Sequence, residues 1–325
     1  MLTLPPFEWS EPTSLDQALG LLSEKPGEAL VVAGGTDAVP NLKHRLHEPR
    51  RVVHIGRLRE LAFIEVRDDG LHLGPLVTLS QLERHPAVRR DAPSLAKAAG
   101  LVAGPQLRAM GTVGGNLWRE ARGFCLKKDG VHCHVVPQGR RCVAAHSSDV
   151  APTLISLAAE VEVASRRGRR TVKVEEFFVA DGVHNNVLRP DELVVRITVP
   201  ARSLGLAVGY QKLRPRGAID FPMLSVAFAA RLAGGACETA MLVVSALAAK
   251  PKVVGGLEPL VRGKPLDGGA IEAIAQAAYR QCRPQINVPY DDDYRHEMVP
   301  VFVRRAIQEA LGMAPGPAAR GGGGR

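Results

Sequence analysis

Two glycine motifs carry the clearest chemistry in this sequence. The first is Val31-Val32-Ala33-Gly34-Gly35-Thr36-Asp37-Ala38, and the second is Gly111-Thr112-Val113-Gly114-Gly115-Asn116-Leu117. Each pairs two glycines with a threonine close by. Glycine takes positive φ freely and leaves no side chain in the way, so successive backbone N–H groups can converge on a phosphate. Thr36 and Thr112 can add hydroxyl donors. Two such loops can grip the two phosphates of one dinucleotide. A Gly-Gly pair is also the signature of a plain tight turn. Neither motif fits G-x-G-x-x-G or the Walker pattern ending Gly-Lys-Ser/Thr. On the residues alone, a phosphate cradle and a pair of tight turns are about equally supported.

Cysteine supplies the second chemistry. Of five cysteines, Cys125, Cys133 and Cys142 fall within 18 residues of one another, with seven and then eight residues between them. The odd count argues against a disulfide framework. A cluster of thiolates suits a metal ion or an iron–sulfur centre. Cys237 and Cys282 stand apart, in or beside a predicted strand and a predicted helix, and read as small buried hydrophobes. No nucleophile triad or acid–base pair stands out.

Elements that could position these groups follow from periodicity and punctuation. Ser14 and Gln17 form a capping-box pattern that opens a helix over about 14–24. Leu30-Val31-Val32-Ala33 reads as a buried strand running straight into the first Gly-Gly. Short strands are expected at 51–55, 61–66 and 71–73, and helices near 79–88 and 92–102. The stretch 103–117 reads as glycine-rich coil, and 118–147 has no clear period. A helix is expected from Asp149 to Ala159, with Pro152 tolerated in its first turn, then strands at 160–164 and 170–174. The second half differs. Strands near 192–199, 206–213, 223–231 and 239–247 precede helices near 269–282 and 297–311, an α+β arrangement with an antiparallel sheet. The division expected is a first domain over 1–178, a second over 179–313, and a disordered tail over 314–325.

Composition narrows the class. Hydrophobic residues make up 46% and charged residues 23% of 325 residues, a normal globular mix. No run of about 18 apolar residues suggests a membrane span, and the start of the chain does not read as a secretory signal. The cytoplasm is the expected compartment. The net charge of +9 invites an anionic partner, but aromatics are only 4%, too few to stack on bases. A face that docks an acidic protein, or plain solvated surface, explains the charge without nucleic acid.

Taken in order, the motifs resemble the FAD-binding medium subunit of the molybdenum hydroxylase family, which includes xanthine dehydrogenase and carbon monoxide dehydrogenase. The resemblance spans nearly the whole chain. It runs from Pro6 through the first glycine motif and Leu73-Gly74-Pro75-Leu76-Val77-Thr78 to the second. It continues through Ser148-Asp149-Val150-Ala151-Pro152, Tyr210-Gln211-Lys212 to Asp220, and Tyr294-Arg295 to Val303-Arg304-Arg305-Ala306. It implies a two-part FAD domain followed by a smaller α+β domain. It implies that backbone amides of 32–37 and 112–116 hold the pyrophosphate, with Val102 near the flavin end. Asp149 would bind the ribose or nearby backbone, and Lys212 would reach the flavin from the second domain. Asp149 is also a natural N-cap for its helix. The implied partners are a large molybdopterin subunit and a small subunit with two [2Fe–2S] clusters, in a dimer of heterotrimers.

Within that family, Cys125, Cys133 and Cys142 with their spacing, and Ala218-Ile219-Asp220-Phe221-Pro222, resemble the β subunit of 4-hydroxybenzoyl-CoA reductase. Its inserted loop carries a [4Fe–4S] cluster. That branch has a fourth cysteine on the N-terminal side, and residues 117–124 here contain none. Four thiolates normally hold such a cluster. Three can hold one with an open or non-cysteine site, filled by His132, His134 or Asp129. A Cys3His zinc site is a second option, and a relic loop without metal is a third. Three functions remain open. One is a reductase-like relay. Another is an oxidative relay delivering electrons to NAD, a quinone or oxygen. The last is a non-enzymatic protein that binds another nucleotide.

Overall fold

The computed structural model describes residues 2–118, 142–182, 184–286 and 291–313. Cys125, Cys133 and the expected tail at 314–325 lie outside the described residues.

The chain opens with β1 (Glu8–Ser10), α1 (Leu15–Glu24), β2 (Ala29–Val32), α2 (Ala38–Lys43) and β3 (Arg51–His54). Both outer strands run parallel to the central one in the order β1-β3-β2. Ser14 Oγ accepts from Gln17 N at 3.2 Å, as the capping pattern predicts. The Gln17 side chain turns back one residue further than expected and accepts from Thr13 N at 2.7 Å. Leu15, Ala18, Leu19 and Leu22 recur at helical spacing and pack on Val53 and Ile55 of the parallel sheet.

Next come β4 (Ile64–Arg67) and β5 (Gly70–Leu73), then five short helices: α3 (Leu79–Arg84), α4 (Pro86–Asp91), α5 (Pro93–Gly100), α6 (Pro105–Met110) and α7 (Val113–Trp118). Two helices and a coil were expected here. Proline is the reason: Pro86, Pro93 and Pro105 each occupy a first helical position. A proline cannot sit in a helix interior without a clash and a lost hydrogen bond, but it starts one well.

A second sheet follows with α8 (Val150–Ser156), β6 (Glu160–Ser165), β7 (Gly168–Lys173), α9 (Val174–Phe177) and β8 (Leu193–Pro200). It is five-stranded and antiparallel, in the order β4-β5-β8-β6-β7. The sequence groups the strand near 192–199 with the second half. Its hydrogen bonds instead place it between two strands of the first. Sheet membership therefore favours a division between Pro200 and Ala207 over one near 179.

The second half contains β9 (Ala207–Leu213), β10 (Leu224–Ala233), β11 (Ala236–Ser245), β12 (Lys252–Val253), α10 (Glu258–Val261), α11 (Gly268–Gln281) and α12 (Asp292–Ala310). Its four strands are antiparallel in the order β12-β11-β10-β9. β10 is covered on both faces, which explains its nearly unbroken apolar run. Leu224, Val226, Phe228 and Ala230 pack under the closing helices. Ala227 faces the other way, with Tyr210 and Val243, into the core of the first half. The α+β class with an antiparallel second sheet is as expected. No helix among the described residues is long and apolar enough to cross a membrane.

Candidate dinucleotide site

The two glycine motifs, far apart in sequence, meet across one cleft. Its wall includes every residue from Val31 to Ala38 on one side, and Gly111, Thr112, Gly115 and Asn116 on the other. Val102 lines it as well. The cleft continues past Gly114 and Trp118 toward His184, Asn185 and Asn186.

The first motif turns from the end of β2 into α2. Gly35 sits there at φ 69°, the left-handed region that a side chain disfavours. Among the described residues no protein acceptor meets the N–H groups of Gly34, Gly35 or Thr36. Three adjacent unpaired amides at the mouth of a helix form a concave donor set suited to an anion. This is the arrangement the first motif predicts, and it fits the pyrophosphate of a dinucleotide.

The second motif differs from expectation. Its paired glycines lie in the first turns of α7 rather than in a loop. Val113 N donates to Val77 O and Gly114 N to Pro75 O, both at 2.9 Å. Asn116 N donates to Thr112 O at 2.9 Å, and Gly115 N to Thr112 Oγ1 at 3.1 Å. Of the amides expected from 112–116, only that of Thr112 is left without a partner among the described residues. Val113 is fully buried in the core. The motif thus supplies shape more than donors. A Cβ on Gly115 would meet only Thr112 Oγ1, so bare backbone faces the cleft. The Asn116 side chain is committed elsewhere. Its Oδ1 accepts from Ser148 Oγ at 2.8 Å and from Val150 N at 3.3 Å, tying α7 to the start of α8.

Asp149 and Lys212 do not line the cleft. They form a buried ion pair behind its wall, Lys212 Nζ to Asp149 Oδ1 at 2.9 Å. The same carboxylate oxygen accepts from Tyr210 OH at 2.9 Å. Burial first, and then the Asp149 charge, push the Tyr210 phenol well above its ordinary pKa. Asp149 is the N-cap of α8 by position, yet its side chain makes no capping bond. Ser148 Oγ does so instead, accepting from Ala151 N at 3.1 Å. Asp149 and Lys212 thus meet each other, Tyr210 and Leu101 within the protein. The second half nevertheless reaches the cleft indirectly, because Lys212 Nζ also donates to Leu101 O at 2.9 Å, next to Val102.

Sequence reasoning missed Asn41, His47, Leu107 and Trp118, which also line the cleft. Two had a signal. Asn41 lies one helical turn beyond Asp37, and Trp118 ends the helix that contains the second motif. His47 and Leu107 had none.

Cys142 is half-buried, its sulfur accepting from Ala144 N at 3.4 Å. Its two expected co-ligands lie outside the described residues. Among the described residues no group of three His, Cys, Asp or Glu is placed to hold a metal ion. Cys237 and Cys282 are buried, as expected. Burial pushes the Cys282 thiol up to about 12.

Comparison with known proteins agrees with this geometry. Residues 5–202 match the FAD binding domain in molybdopterin dehydrogenase, and residues 209–310 match the CO dehydrogenase flavoprotein C-terminal domain. The chain is 29% identical to the carbon monoxide dehydrogenase medium chain of Hydrogenophaga pseudoflava, covering 94% of this chain and 97% of that protein. It is 29% identical to the nicotinate dehydrogenase FAD-subunit of Eubacterium barkeri, covering 87% and 90%. A solved structure of the Hydrogenophaga pseudoflava carbon monoxide dehydrogenase superposes with a TM-score of 0.82 at 27% identity, over 95% of this chain and 99% of that one. With an FAD-binding domain followed by the flavoprotein C-terminal domain, the chain belongs to the FAD-binding medium subunits of the molybdenum hydroxylase family.

Proposed function

We propose that this chain is the electron-transfer subunit of a multi-subunit molybdopterin oxidoreductase. It relays electrons between an external redox partner and an iron–sulfur subunit. One observation carries the reading: the unpaired amides of Gly34, Gly35 and Thr36 face the bare backbone of Gly115 across a single cleft. Flavin supplies both one- and two-electron chemistry when bound. The chain's own residues bind and orient it: the first motif holds the pyrophosphate, Thr112 and Gly115 give it room, and Val102 bounds one end. Substrate chemistry belongs to a partner. The partners are a large molybdopterin subunit and a small subunit with two [2Fe–2S] clusters, assembled as a dimer of heterotrimers in the cytoplasm.

The direction of flow depends on the cysteine insertion. The spacing of Cys125, Cys133 and Cys142 and the Ala218-Ile219-Asp220-Phe221-Pro222 segment favour a 4-hydroxybenzoyl-CoA reductase-like relay, with electrons entering through an extra cluster. The missing fourth cysteine, and relatives named as carbon monoxide and nicotinate dehydrogenases, favour an oxidative relay to NAD, a quinone or oxygen. An absorption spectrum of anaerobically purified protein, with iron and zinc analysis, separates them. Oxidised-flavin bands with stoichiometric iron, lost on replacing the three cysteines by serine, support the reductase-like reading. Flavin without metal supports the oxidative one. A protein that takes up no flavin on reconstitution overturns both.

A further inference from the structure

The chain has two tryptophans. Trp9 lies in β1 and stacks on the His54 ring, with centroids 5.2 Å apart. Trp118 closes α7, and among the described residues no aromatic ring packs on it. Its indole is 39% exposed, whereas Leu117 beside it is 1% exposed. An open indole leaves a large apolar surface in water, and covering it releases that cost. The cover belongs in the cleft, because Trp118 lines both the volume between the two glycine motifs and the volume that continues past them.

The placement of Trp118 on α7 makes it reachable by a flat ring. Gly115 precedes it by three residues, so the two share one helix face. No side chain stands at Gly115 to block the approach along that face. Val31, Ala33 and Leu76 line the same volume. An indole opposite aliphatic side chains forms a slot for a planar heterocycle.

The two arms of the cleft are lined differently. Val102, Ala103, Leu107 and Leu79 give one an apolar end. His184, Asn185, Asn186 and Arg189 give the other a polar end, in a volume of about 510 Å³, within the range of small-ligand pockets. Adenine carries ring nitrogens and an amino group along its edge and needs hydrogen-bonding neighbours. The dimethylbenzene end of isoalloxazine needs apolar ones.

Taking the FAD reading above as given, with Val102 at the flavin end, we infer that Trp118 is the stacking platform for the adenine ring. The pyrophosphate lies at the first motif, the adenosine half runs along α7 past Gly115, and the purine rests on the indole with its polar edge toward His184–Asn186.

The test uses the full flavin-free chain and ADP, which carries the adenosine and the diphosphate without the flavin. Flavin quenches tryptophan emission by energy transfer at a distance; ADP does not, so quenching by ADP reports contact. In Trp9→Phe the only tryptophan is Trp118, and its emission should fall as ADP saturates. In Trp118→Phe the only tryptophan is Trp9, and its emission should stay constant. Trp118→Ala should raise Kd for both ADP and FAD about tenfold or more, the loss expected of one base–aromatic stack, and Trp118→Phe should restore most of it. FAD bound to Trp118→Ala should keep the wild-type absorption spectrum, because the isoalloxazine occupies the other arm. Constant emission from Trp9→Phe through ADP saturation overturns the inference. So does a folded Trp118→Ala chain with wild-type Kd for both ligands. A wild-type Kd for ADP together with a shifted flavin spectrum places the isoalloxazine on the indole and also overturns it, as does a wild type that binds FAD but not ADP. If Trp118→Ala does not fold, the emission of Trp9→Phe decides alone. A wild type that binds neither FAD nor ADP would instead sink the cofactor assignment on which the inference rests.

Discussion

A Cβ placed on Gly34 would lie 1.8 Å from the Met110 carbonyl oxygen, and one placed on Gly114 would lie 2.6 Å from the Pro75 side chain. The first glycine of each pair is therefore required by packing. The second lines the cleft: Gly35 with its left-handed backbone, and Gly115 where an added Cβ would meet only Thr112 Oγ1, at 3.0 Å. This division predicts opposite phenotypes. Gly34→Ala should destabilise the chain by about 3 kcal/mol, as overpacked sites do, measured by urea denaturation of the flavin-free protein. Gly115→Val should unfold near the wild-type midpoint yet fail to retain flavin. Normal flavin stoichiometry in Gly115→Val would count against the placement of the pyrophosphate. The sequence reveals which residues are glycine but not what lies opposite each one. Asp149 and Lys212 pose the same difficulty, because their residue types announce charge while the partner that neutralises it is 63 positions away. Nothing in the sequence around either residue shows that the two meet.

At the level of elements, the hairpin of β6 and β7 is fastened to the segment before β8 by charge. Arg167 pairs with Asp191, and Arg170 pairs with Glu192 at 2.6 Å. The Arg167 hydrogen bond holds the Asp191 carboxyl below its usual range. For Glu192 burial pulls the other way, but the hydrogen bond from Arg170 and its backbone partner prevail, and its pKa is also lowered. A carboxyl with a lowered folded-state pKa contributes stability above its unfolded value, and that contribution is lost as pH falls. The denaturation midpoint should therefore drop between about pH 5 and pH 3, where carboxylates titrate. Glu192→Gln should lower stability at neutral pH and flatten that drop; an equally steep drop would assign the acid sensitivity elsewhere. Strands were legible because apolar alternation marks a buried face directly. Helices α3 to α5 were legible only as two longer stretches, and α6 and α7 were not, because glycine content reads as coil. Their starts were nonetheless written in Pro86, Pro93 and Pro105.

Across the whole molecule the two halves share one core and one polar seam. Tyr210 and Ala227 of the second half pack among the helices of the first. Lys97 of α5 pairs with Glu309 of α12 at 2.7 Å. Because the halves share this core and seam, a cofactor bound at the first motif should stabilise both together. Free FAD at about one hundred times its Kd should add about 2.7 kcal/mol to the stability of the flavin-free chain. Calorimetry should show one transition moving upward; a second transition that ignores FAD would mean the halves unfold independently.

The position of β8 also bears on how the chain is made. It is the last strand of the five-stranded sheet to leave the ribosome and the only link between β5 and β6 in the strand order. Until Pro200 has emerged, that sheet exists as two separate hairpins with open edges, a state in which unpaired strands invite pairing with other chains. The amides that await the cofactor are synthesised early, but the sheet behind them closes late, so a nascent chain stalled before residue 200 would expose what the finished protein covers.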